Sequence, residues 1–500
     1  MSLPTLSRRS LMVGGSSTLA LALLGRAPDA LGAPAPAAML DYTSPEAFAV
    51  AEQAYLDLGA QHNEAGLYAW GESYYLLGLL LMYERYEDEA YLDTFEERAR
   101  HVLASTDAAR GVTDYRGVSG PGWRAAGNYT AGHAEFALSD GSPGIQIRWA
   151  GVRSAEARAT VTNVSGERFD LELSHPSSSE TLTGVSLDPA SPDYVVDAVH
   201  ALFNGTRRWT ALDHRESHDE SDRVAASSID FEPQFYVFSV HTGMVVRPLA
   251  RYVRTVLGSP RYARRQAFAA RVRRAVQEAV DFHWEEFAVD EHGRGDFWWA
   301  RNAPIPWDGL MQPYNQGHAM GAVYAELYHL TPTASLRRRL EAMMRSFRAG
   351  VESDGDAIIW PYWQPYGAKY RGYTVEEDLS TYTPWFSGIR VAEDISHAAI
   401  TLEFLQSVHD AGIEDLGGMR QQLATTFTQN VIRDEDSVWF RVDGTQDAAP
   451  ANAVQSARWL MLDDVDPAIH DHVRRVYEAE PLEPSQGSHA LGIAYLNHTA

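Results

Sequence analysis

Histidine stands near the start of an apolar, helix-like stretch at four places in this 500-residue chain. Histidine takes up and releases protons near neutral pH, and the amides and carboxylates beside it can orient a bound group. Asn, Ser and Asp are also common helix caps, so any one of these histidines has a structural explanation as well. Four similar starts favour acid–base chemistry at two or more of them. The stretches are VHTGMVVRPL from Val240, NQGHAMGAVY from Asn315, EDISHAAITL from Glu393 and SQGSHALGIAY from Ser485, in which His489 is expected to be structural.

A second candidate for chemistry is the aromatic stretch WPYWQPYGAKYRGYTVEEDLSTYTPWF, residues 360–386. It holds five tyrosines, three tryptophans, Arg371 and the only lysine of the chain. A phenol beside a cation can lose and regain a proton, which predicts catalytic roles for Tyr370 and Tyr373, close to Arg371. Aromatic rings also stack against sugars, so the stretch fits a carbohydrate cleft.

Around these stretches, amphipathic helices recur in pairs. Apolar residues return at i, i+3 and i+4, and within most pairs the first helix is small and apolar whereas the second is more charged. This difference predicts an inner, buried helix followed by an outer, solvated one. We therefore expect an all-α-dominated fold, an (α/α)n toroid or incomplete barrel of helical hairpins. The predicted pairs are 73–85 with 89–105, 243–257 with 259–282, 317–330 with 333–351, and 396–411 with 418–431.

One region departs from helical periodicity. Between residues 134 and 187 apolar and polar residues alternate, as in GIQIRWAGV and RFDLELSH, which predicts a small antiparallel β insert. The insert either covers one mouth of the helical ring or is a tolerated surface insertion. We expect the first helical hairpins over 38–133 and the remainder of the toroid over 188–500, which begins with a polar loop at 204–228.

The histidine-bearing helix starts meet if the inner helices run parallel around one axis. Helix N-termini carry unpaired N–H groups and a partial positive charge, so their convergence builds a polar mouth. Trp-bearing loops between the pairs are expected to wall it, although Trp360 and Trp385 are equally well explained as core residues. The polar residues predicted to face the mouth are His241, Asn315, Gln316, His318, Glu393, Asp394 and His397. The aromatic residues predicted to wall it are Trp298, Trp299, Trp307, Trp360, Tyr362, Trp363 and Trp385.

Composition argues against several functional classes. The formal net charge is −25, which disfavours binding to nucleic acid or to anionic membranes. The chain has no cysteine, so disulfides, iron–sulfur clusters and thiolate sites are excluded. It has no HExxH, P-loop, GxSxG or dinucleotide-binding motif, and its one His-x-His, at 470–472, lies in a charged stretch typical of a solvated helix. We expect no metal and no cofactor.

The first residues contain SRRSLMVGGSSTLALALLGRAPDALGAPAPAA, which is typical of an export signal. Arg8 and Arg9 precede a short apolar run broken by glycine and serine, and residues 35–37, Ala-Pro-Ala, are a suitable cleavage site. This pattern predicts a twin-arginine-type signal peptide over 1–37, with an ordinary secretory signal as the alternative. The apolar run is short for a membrane anchor. We therefore expect a periplasmic or secreted protein with no membrane insertion after signal removal.

The repeated hairpins, the PYNQGHAMG and EDISHAA helix starts and the Trp/Tyr loop between them resemble the (α/α)-toroid polysaccharide lyases, a group that includes alginate and glucuronan lyases. The likeness covers roughly residues 45–480 apart from the β insert. It implies a secreted enzyme that cleaves a uronic-acid-containing polysaccharide or oligosaccharide by β-elimination. In such enzymes a positive or amide group neutralises the carboxylate, a Tyr or His base removes the C5 proton, and a Tyr commonly protonates the leaving O4.

Carried onto this chain, the resemblance implies three sets of site residues. The candidate neutralisers are Asn315, Gln316 and Arg371, the candidate bases are His318 and His397, and the candidate acids, or combined acids and bases, are Tyr370 and Tyr373. The net charge of −25 departs from what a strongly anionic polymer favours.

Three alternatives stay open at the level of sequence. A glycoside hydrolase on a similar toroid would use paired carboxylates, Asp308 with Glu393 or Asp394. A uronate C5-epimerase would begin with the same proton abstraction as the lyase. A non-catalytic carbohydrate-binding protein would use the aromatic loops as a stacking platform.

Overall fold

The computed structural model describes residues 40–59, 62–151, 153–204, 207–479 and 487–500, and the predicted signal peptide, 1–37, lies outside them. Its α-helices are α1 (Pro45–Leu56), α2 (Ser73–Tyr86), α3 (Glu89–Ala104), α4 (Asp107–Arg110), α5 (Val195–Leu202), α6 (Ser239–Leu257), α7 (Gln266–Phe282), α8 (Tyr314–Leu330), α9 (Ala334–Arg348), α10 (Ala368–Arg371), α11 (Ile395–Asp410), α12 (Gly417–Thr425), α13 (Pro450–Ala453), α14 (Ala468–Ala479) and α15 (Gly487–Thr499). A 3₁₀ segment, Val454–Leu462, and two π-helical segments, Tyr68–Glu72 and Thr426–Val431, lie between them.

The strands are short and antiparallel. They are β1 (Arg124–Ala125), β2 (Gly132–Phe136), β3 (Ile145–Trp149), β4 (Arg158–Ser165), β5 (Arg168–His175), β6 (Ser178–Ser186), β7 (Trp209–Asp213), β8 (Ser227–Asp230), β9 (Glu232–Pro233), β10 (Tyr236–Val237), β11 (Phe287–Val289), β12 (Gly295–Phe297), β13 (Glu352–Asp354) and β14 (Ala357–Ile359). Two two-stranded sheets, β11-β12 and β13-β14, are hairpins within the helical part, and a third, β1-β10, joins the residues before and after the β region.

The fold mixes helices and sheets: 47% of the structure is helical and 17% lies in strands, which form five antiparallel sheets. The expectation of an all-α-dominated fold is therefore wrong. Strand β7 (WTALD) begins with three consecutive buried residues and so shows no alternation, and β8 (SSID) is too short and too polar for alternation to reveal it in the sequence. As a result the β region, β2 to β9, extends beyond the predicted insert of 134–187 and takes in part of the polar loop expected at 204–228.

The four predicted helical pairs are present as α2 with α3, α6 with α7, α8 with α9, and α11 with α12. In each pair the first helix is buried over most of its length, whereas the second buries one face. In α9, for example, Leu336, Leu340, Met343 and Phe347 are buried while Arg337 is exposed. The prediction of inner and outer helices is confirmed. Within the described ranges, no helix is both long enough and apolar enough to cross a membrane.

Six inner segments contact one another in a closed circuit. Helix α2 contacts α6, α6 contacts α8, α8 contacts α11, α11 contacts Val454–Leu462, and this 3₁₀ segment contacts α15, which returns to α2. Gly243 lets α6 and α8 approach closely, because a Cβ there would lie 2.7 Å from the backbone of Ala319. Helices α3, α7, α9 and α14 pack against α2, α6, α8 and the 3₁₀ segment respectively.

The inner helices run parallel, with their N-terminal ends on one side. Near the starts of α8 and α11, Nδ2 of Asn315 lies 3.4 Å from a carboxylate oxygen of Glu393. Neighbouring helices also meet at their C-terminal ends, so the prediction that these helix starts share one side is confirmed. The contacts near the C-terminal ends are Arg254 with Glu326 at 2.7 Å (α6 and α8), Arg251 with Glu84 at 3.0 Å (α6 and α2), and Tyr86 with Asn497 at 2.7 Å (α2 and α15).

The β region is a sandwich of two four-stranded sheets. Their strand orders are β7-β3-β2-β9 and β6-β5-β4-β8, and all pairings are antiparallel. Inward-facing apolar residues from both sheets form a core separate from that of the helices, because alternate residues of a strand point to one face. Its members include Phe136, Ile147, Val161, Leu171 and Trp209.

The sandwich packs against two loops of the helical part. Ala131 N–H donates to Pro304 O at 2.7 Å, and the guanidinium of Arg148 lies 4.2 Å from the centroid of the Tyr382 ring. Phe203 meets Trp385 edge-on at 5.8 Å. The sandwich thus lies beside the aromatic stretch 360–386 rather than apart from it.

Candidate functional site

The head of α11 carries a histidine paired with the carboxylate that caps the helix. One oxygen of Asp394 accepts hydrogen bonds from the backbone N–H groups of Ser396 and His397, both at 3.1 Å, and the other lies 2.6 Å from Nδ1 of His397. An aspartate cap is favourable because the first N–H groups of a helix lack partners within it. Burial lowers the pKa of His397, but the charge of Asp394 and the hydrogen bond to it outweigh burial and raise the pKa to about 9. At neutral pH the two side chains therefore form an ion pair.

His397 is also more accessible than its partner. Its side chain is 21% exposed, against 10% for Asp394. Within the described part of the chain, Nε2 of His397 has no hydrogen-bond partner, whereas Nδ1 is held by Asp394. A histidine held at Nδ1 by a carboxylate is oriented to exchange a proton through Nε2.

Tyr362 lies beside this pair. Its ring centroid is 5.3 Å from that of His397, and the two rings are nearly perpendicular, at 78°. Backbone pairing fixes the position: Tyr362 N–H donates to Val391 O, and Glu393 N–H donates to Trp360 O, both at 2.9 Å. The aromatic stretch is thereby held against the residues that lead into α11.

The surroundings of Tyr362 keep its phenol protonated. Burial raises the pKa of Tyr362 above its ordinary value, and side-chain hydrogen bonding with Asn315 and Gln316 opposes burial only in part. Both amides belong to the head of α8, so the starts of α8 and α11 meet at this phenol. A neutral phenol held in this way is a proton donor.

Glu393 lies beneath the pair and is fully buried. One of its oxygens accepts from Asn315 Nδ2 at 3.4 Å and the other from the N–H of Asp394 at 3.2 Å. Burial, followed by the negative charge of Asp394, raises the pKa of Glu393 well above its ordinary value. Burial therefore favours the protonated, uncharged form of Glu393, relative to a glutamate in water.

Metal binding at this group meets an obstacle. Ligand atoms of Glu393, Asp394 and His397 lie within 4.8 Å of one another, which is compatible with a cation. Both oxygens of Asp394 already accept hydrogen bonds, one of them from His397, and both oxygens of Glu393 accept hydrogen bonds from N–H groups. A cation would have to displace His397 from Asp394, so the three side chains fit a hydrogen-bonded network better than a ligand set. That the protein needs no metal stays a prediction.

Two predicted site histidines lie in the core instead. His318 stacks on Phe404 at 4.4 Å between ring centroids, and its Nδ1 lies 3.0 Å from the hydroxyl of Thr401. His241 is enclosed by Trp70 and Tyr129. Burial lowers the pKa of each histidine to about 3, so both are neutral packing residues.

The predicted aromatic wall divides into three groups. Trp360 is fully buried and belongs to the core. Trp299 and Trp363 contact each other at 6.1 Å, and Trp363 contacts Tyr362 at 5.3 Å, so these rings reach His397 only through Tyr362. Trp298 and Trp385 are 38% and 36% exposed and are free to stack against a ligand. Trp307 is half-buried, and the side chain of Lys369 lies against its ring.

The predicted acids on the aromatic stretch do not contact His397. Arg371 is exposed and pairs with Glu377 at 2.8 Å, and Tyr370 packs near Arg390. Tyr373 is buried, and its hydroxyl donates to Thr383 O at 2.8 Å. Tyr362, assigned from sequence only to substrate binding, is the tyrosine in contact with the histidine, and no spacing in the sequence distinguishes it from its neighbours.

Asp308, the carboxylate considered for hydrolysis, anchors a loop. It is fully buried and accepts hydrogen bonds from the hydroxyls of Ser380 at 2.5 Å and Thr381 at 2.8 Å. It also accepts from the N–H groups of Tyr382 at 3.0 Å and Asn302 at 2.8 Å. These bonds occupy both of its oxygens, so Asp308 holds the loop at 380–382 in place.

A buried charge network beneath the site was not expected from the sequence. Arg458 lies 3.1 Å from Glu403, which also pairs with Arg247, and its Nη1 donates to Ser396 O in the first turn of α11 at 3.2 Å. The same Nη1 lies 3.4 Å from the hydroxyl of Tyr74. Arg458 therefore ties the head of α11 to α2 and places a positive charge under His397. It lies in the apolar 3₁₀ segment Val454–Leu462, where nothing in the sequence marks it as functional.

The site thus combines a carboxylate–histidine pair, a neutral phenol and two amides at the meeting point of α8 and α11. Comparison with known proteins finds no family model and no curated protein that matches this chain.

Proposed function

We propose that this protein is a secreted polysaccharide lyase that cleaves a uronic-acid-containing polysaccharide by β-elimination. The observation that carries the proposal is the contact of Tyr362 with His397, which is paired with Asp394, at a place where the amides of Asn315 and Gln316 also meet. Elimination at a uronate requires a base, an acid and a positive or amide group that donates hydrogen bonds to the carboxylate, and these side chains supply all three.

The reaction assigns each group a role. His397, once it has lost its proton, removes the C5 proton of the uronate through Nε2, and Asp394 stabilises the imidazolium that forms. The electron pair of the C5–H bond forms the C4–C5 double bond as the C4–O bond breaks. Tyr362 gives its proton to the departing O4. Gln316, which is half-buried, donates a hydrogen bond to the carboxylate, where negative charge develops before O4 departs. Asn315, whose Nδ2 donates to Glu393, holds the head of α8 against the head of α11.

A sugar substrate agrees with the aromatic residues near the site. Trp363 contacts Tyr362, the buried ring of Trp299 contacts Trp363, and the exposed rings of Trp298 and Trp385 are available for stacking. Such rings present flat apolar faces of the kind that bind sugar rings. They support a carbohydrate ligand without choosing among polysaccharides.

Hydrolysis fits the same side chains less well. Two carboxyl groups in glycoside hydrolases lie about 5–5.5 Å apart in retaining enzymes or about 6.5–9.5 Å in inverting ones, with both facing the sugar. Glu393 is fully buried and its oxygens take part in hydrogen bonds to Asn315 and Asp394, while Asp308 is saturated by its loop. Neither is free to reach a glycosidic oxygen.

The test follows new double bonds and chain ends together. Protein without its first 37 residues is incubated with alginate, glucuronan and a neutral glucan, and ultraviolet absorbance of unsaturated uronate is recorded beside reducing ends. We expect both signals with at least one polyuronate and neither with the glucan. Reducing ends without absorbance would mean hydrolysis, and exchange of the C5 proton for solvent deuterium without cleavage would mean epimerisation. Binding with none of these changes would leave a carbohydrate-binding protein; each of these three results overturns the lyase.

A further inference from the structure

The single lysine of the chain occupies an aromatic box. Lys369, in α10, is only 4% exposed, and its Nζ lies 2.9 Å from the centroid of the Trp307 ring and 3.4 Å from that of Phe386. Burial, together with the positive charge of Arg208, lowers the pKa of Lys369 well below its ordinary value. An amine among aromatic faces gains cation–π attraction but lacks the full neutralisation that a carboxylate gives.

A second cation meets the same aromatic ring from the sandwich. The guanidinium of Arg208, which directly precedes β7, lies 5.5 Å from the centroid of the Trp307 ring. Burial lowers the pKa of Arg208 as well. Among the described residues, no carboxylate forms an ion pair with Lys369 or Arg208, whereas the adjacent Arg207 pairs with Glu180 at 2.8 Å.

A buried amine and a half-buried guanidinium at one tryptophan are unfavourable in their charged forms without an anion, because each loses solvation and each repels the other. In a chain with 67 acidic residues and only 42 Lys and Arg, leaving both unpaired at one tryptophan is unusual. An anionic ligand group would relieve the repulsion and replace the missing counter-charge.

We propose that Lys369 and Arg208, which both lie against the ring of Trp307, form a subsite that binds the carboxylate of a sugar unit adjacent to the one that reacts. The identity of the ligand rests on the proposed function. Trp363 lies 5.3 Å from Nζ of Lys369 and also contacts Tyr362, so this carboxylate subsite is separated from His397 by two aromatic side chains. Every unit of a polyuronate carries a carboxylate, so a neighbouring unit supplies the anion. The bound carboxylate would also join the helical part to the sandwich, since Arg208 and Lys369 belong to different parts.

The single lysine makes the test direct. Metabolic labelling with [13Cε]lysine gives one lysine signal, which is followed by NMR at constant ionic strength during titration with sodium glucuronate, sodium sulfate or glucose. We expect a saturable shift with glucuronate, at least ten-fold weaker binding of sulfate, and no shift with glucose. Equal affinity for sulfate and glucuronate overturns the assignment to a sugar carboxylate. No saturable shift with either anion overturns the subsite.

A matched pair of variants locates the anion. Arg208→Gln should weaken glucuronate binding by about ten-fold, because one of the two charges is lost, and Arg207→Gln, which removes the exposed neighbour, should leave binding unchanged. Equal loss in both variants, or none in Arg208→Gln, contradicts the subsite. The measurement needs no turnover, so a protein that binds glucuronate at Lys369 but forms no unsaturated product keeps the subsite and loses the lyase.

Discussion

The heads of α8 and α11 look alike in sequence, each with a histidine just inside an apolar helix, yet they are different environments. His318 in α8 stacks on Phe404, and burial lowers its pKa to about 3. Burial acts on His397 in α11 too, but Asp394 at 2.6 Å raises its pKa to about 9. The cap differs: α11 is capped by the side chain of Asp394, whereas α8 begins after Pro313, which offers no side-chain acceptor. A buried histidine can still be protonated at neutral pH where a carboxylate lies beside it. Two helix starts of similar sequence therefore need not give their histidines the same charge.

The largest expected effect is a difference in kcat between variants of the two histidines. His397→Ala should lower kcat by about 10²- to 10⁴-fold, the range for loss of a general acid or base, without unfolding the protein. His318→Leu should keep kcat and cost about 1 kcal/mol of stability through the lost hydrogen bond to Thr401. Rates on a polyuronate and thermal melts check both. Wild-type turnover in His397→Ala would reduce this residue to a helix-start residue without catalytic function.

The next effect compares tyrosines. Tyr362→Phe removes the proposed proton donor while it preserves the ring, so kcat should fall by about 10²-fold or more. The control is Tyr373→Phe, which loses only the hydrogen bond to Thr383 O and should lower stability by about 1 kcal/mol with little change in rate. If Tyr373→Phe loses more activity than Tyr362→Phe, the catalytic acid is Tyr373, one of the two tyrosines predicted from the sequence.

The pH dependence tests what Asp394 contributes. With His397 as the base, kcat should rise with pH through a midpoint near 9, because the protonated ring cannot accept a proton. Asp394→Asn still caps α11, but it removes the charge, so the midpoint should move down toward an ordinary value of about 6.5. An unchanged midpoint would assign the titration to another group.

Stability gives the same comparison an independent readout. The pKa of His397 is higher in the folded protein than in the unfolded chain, so protonation stabilises the fold fully below about pH 6.5. That contribution is lost as the pH rises through about 9. The melting temperature of the wild type should therefore exceed that of Asp394→Asn by less and less as the pH rises from about 6.5 to about 9. A difference that grows over this range would contradict the stabilising role of the protonated His397.

The smallest expected effect concerns Glu393. Burial favours the protonated form of Glu393, so Glu393→Gln, which is uncharged and has the same shape, should change kcat little. The free energy of unfolding should fall by about 1 kcal/mol, because only one of the two oxygens that accept hydrogen bonds remains. Loss of activity in this variant, with the fold intact, would mean that Glu393 works as an ionised carboxylate.

Periodicity predicted the helical pairs, because spacing of apolar residues depends only on local geometry. The buried row of α9 and the apolar α8 followed directly from it. The parallel arrangement of the inner helices also followed, since helices that alternate between inner and outer positions return to the same direction. Strands β7 and β8 were not predicted, because β7 buries three consecutive residues and β8 has only four residues, most of them polar, so neither shows a clear alternation.

The site was predictable in part. Asp394, His397, Asn315 and Gln316 were all expected at one mouth, and the structure brings them together with Tyr362. The choice among histidines was not predictable, because the burial of His318 and His241 depends on side chains far away in sequence, such as Phe404 and Trp70. Arg458 and the aromatic box of Lys369 depend on tertiary packing in the same way, so no local signal reveals them.

The closed circuit of inner segments has a consequence for how the chain is made. Tyr86 in α2 donates a hydrogen bond to Asn497 in α15, although 411 positions separate them in the sequence. The contacts of the first inner helix are therefore complete only after the last one has been synthesised. Contacts of such long range slow folding and leave apolar faces uncovered during synthesis. A chain stopped before α15 should be captured by chaperones, whereas the complete chain should resist protease once its two distant helices have joined.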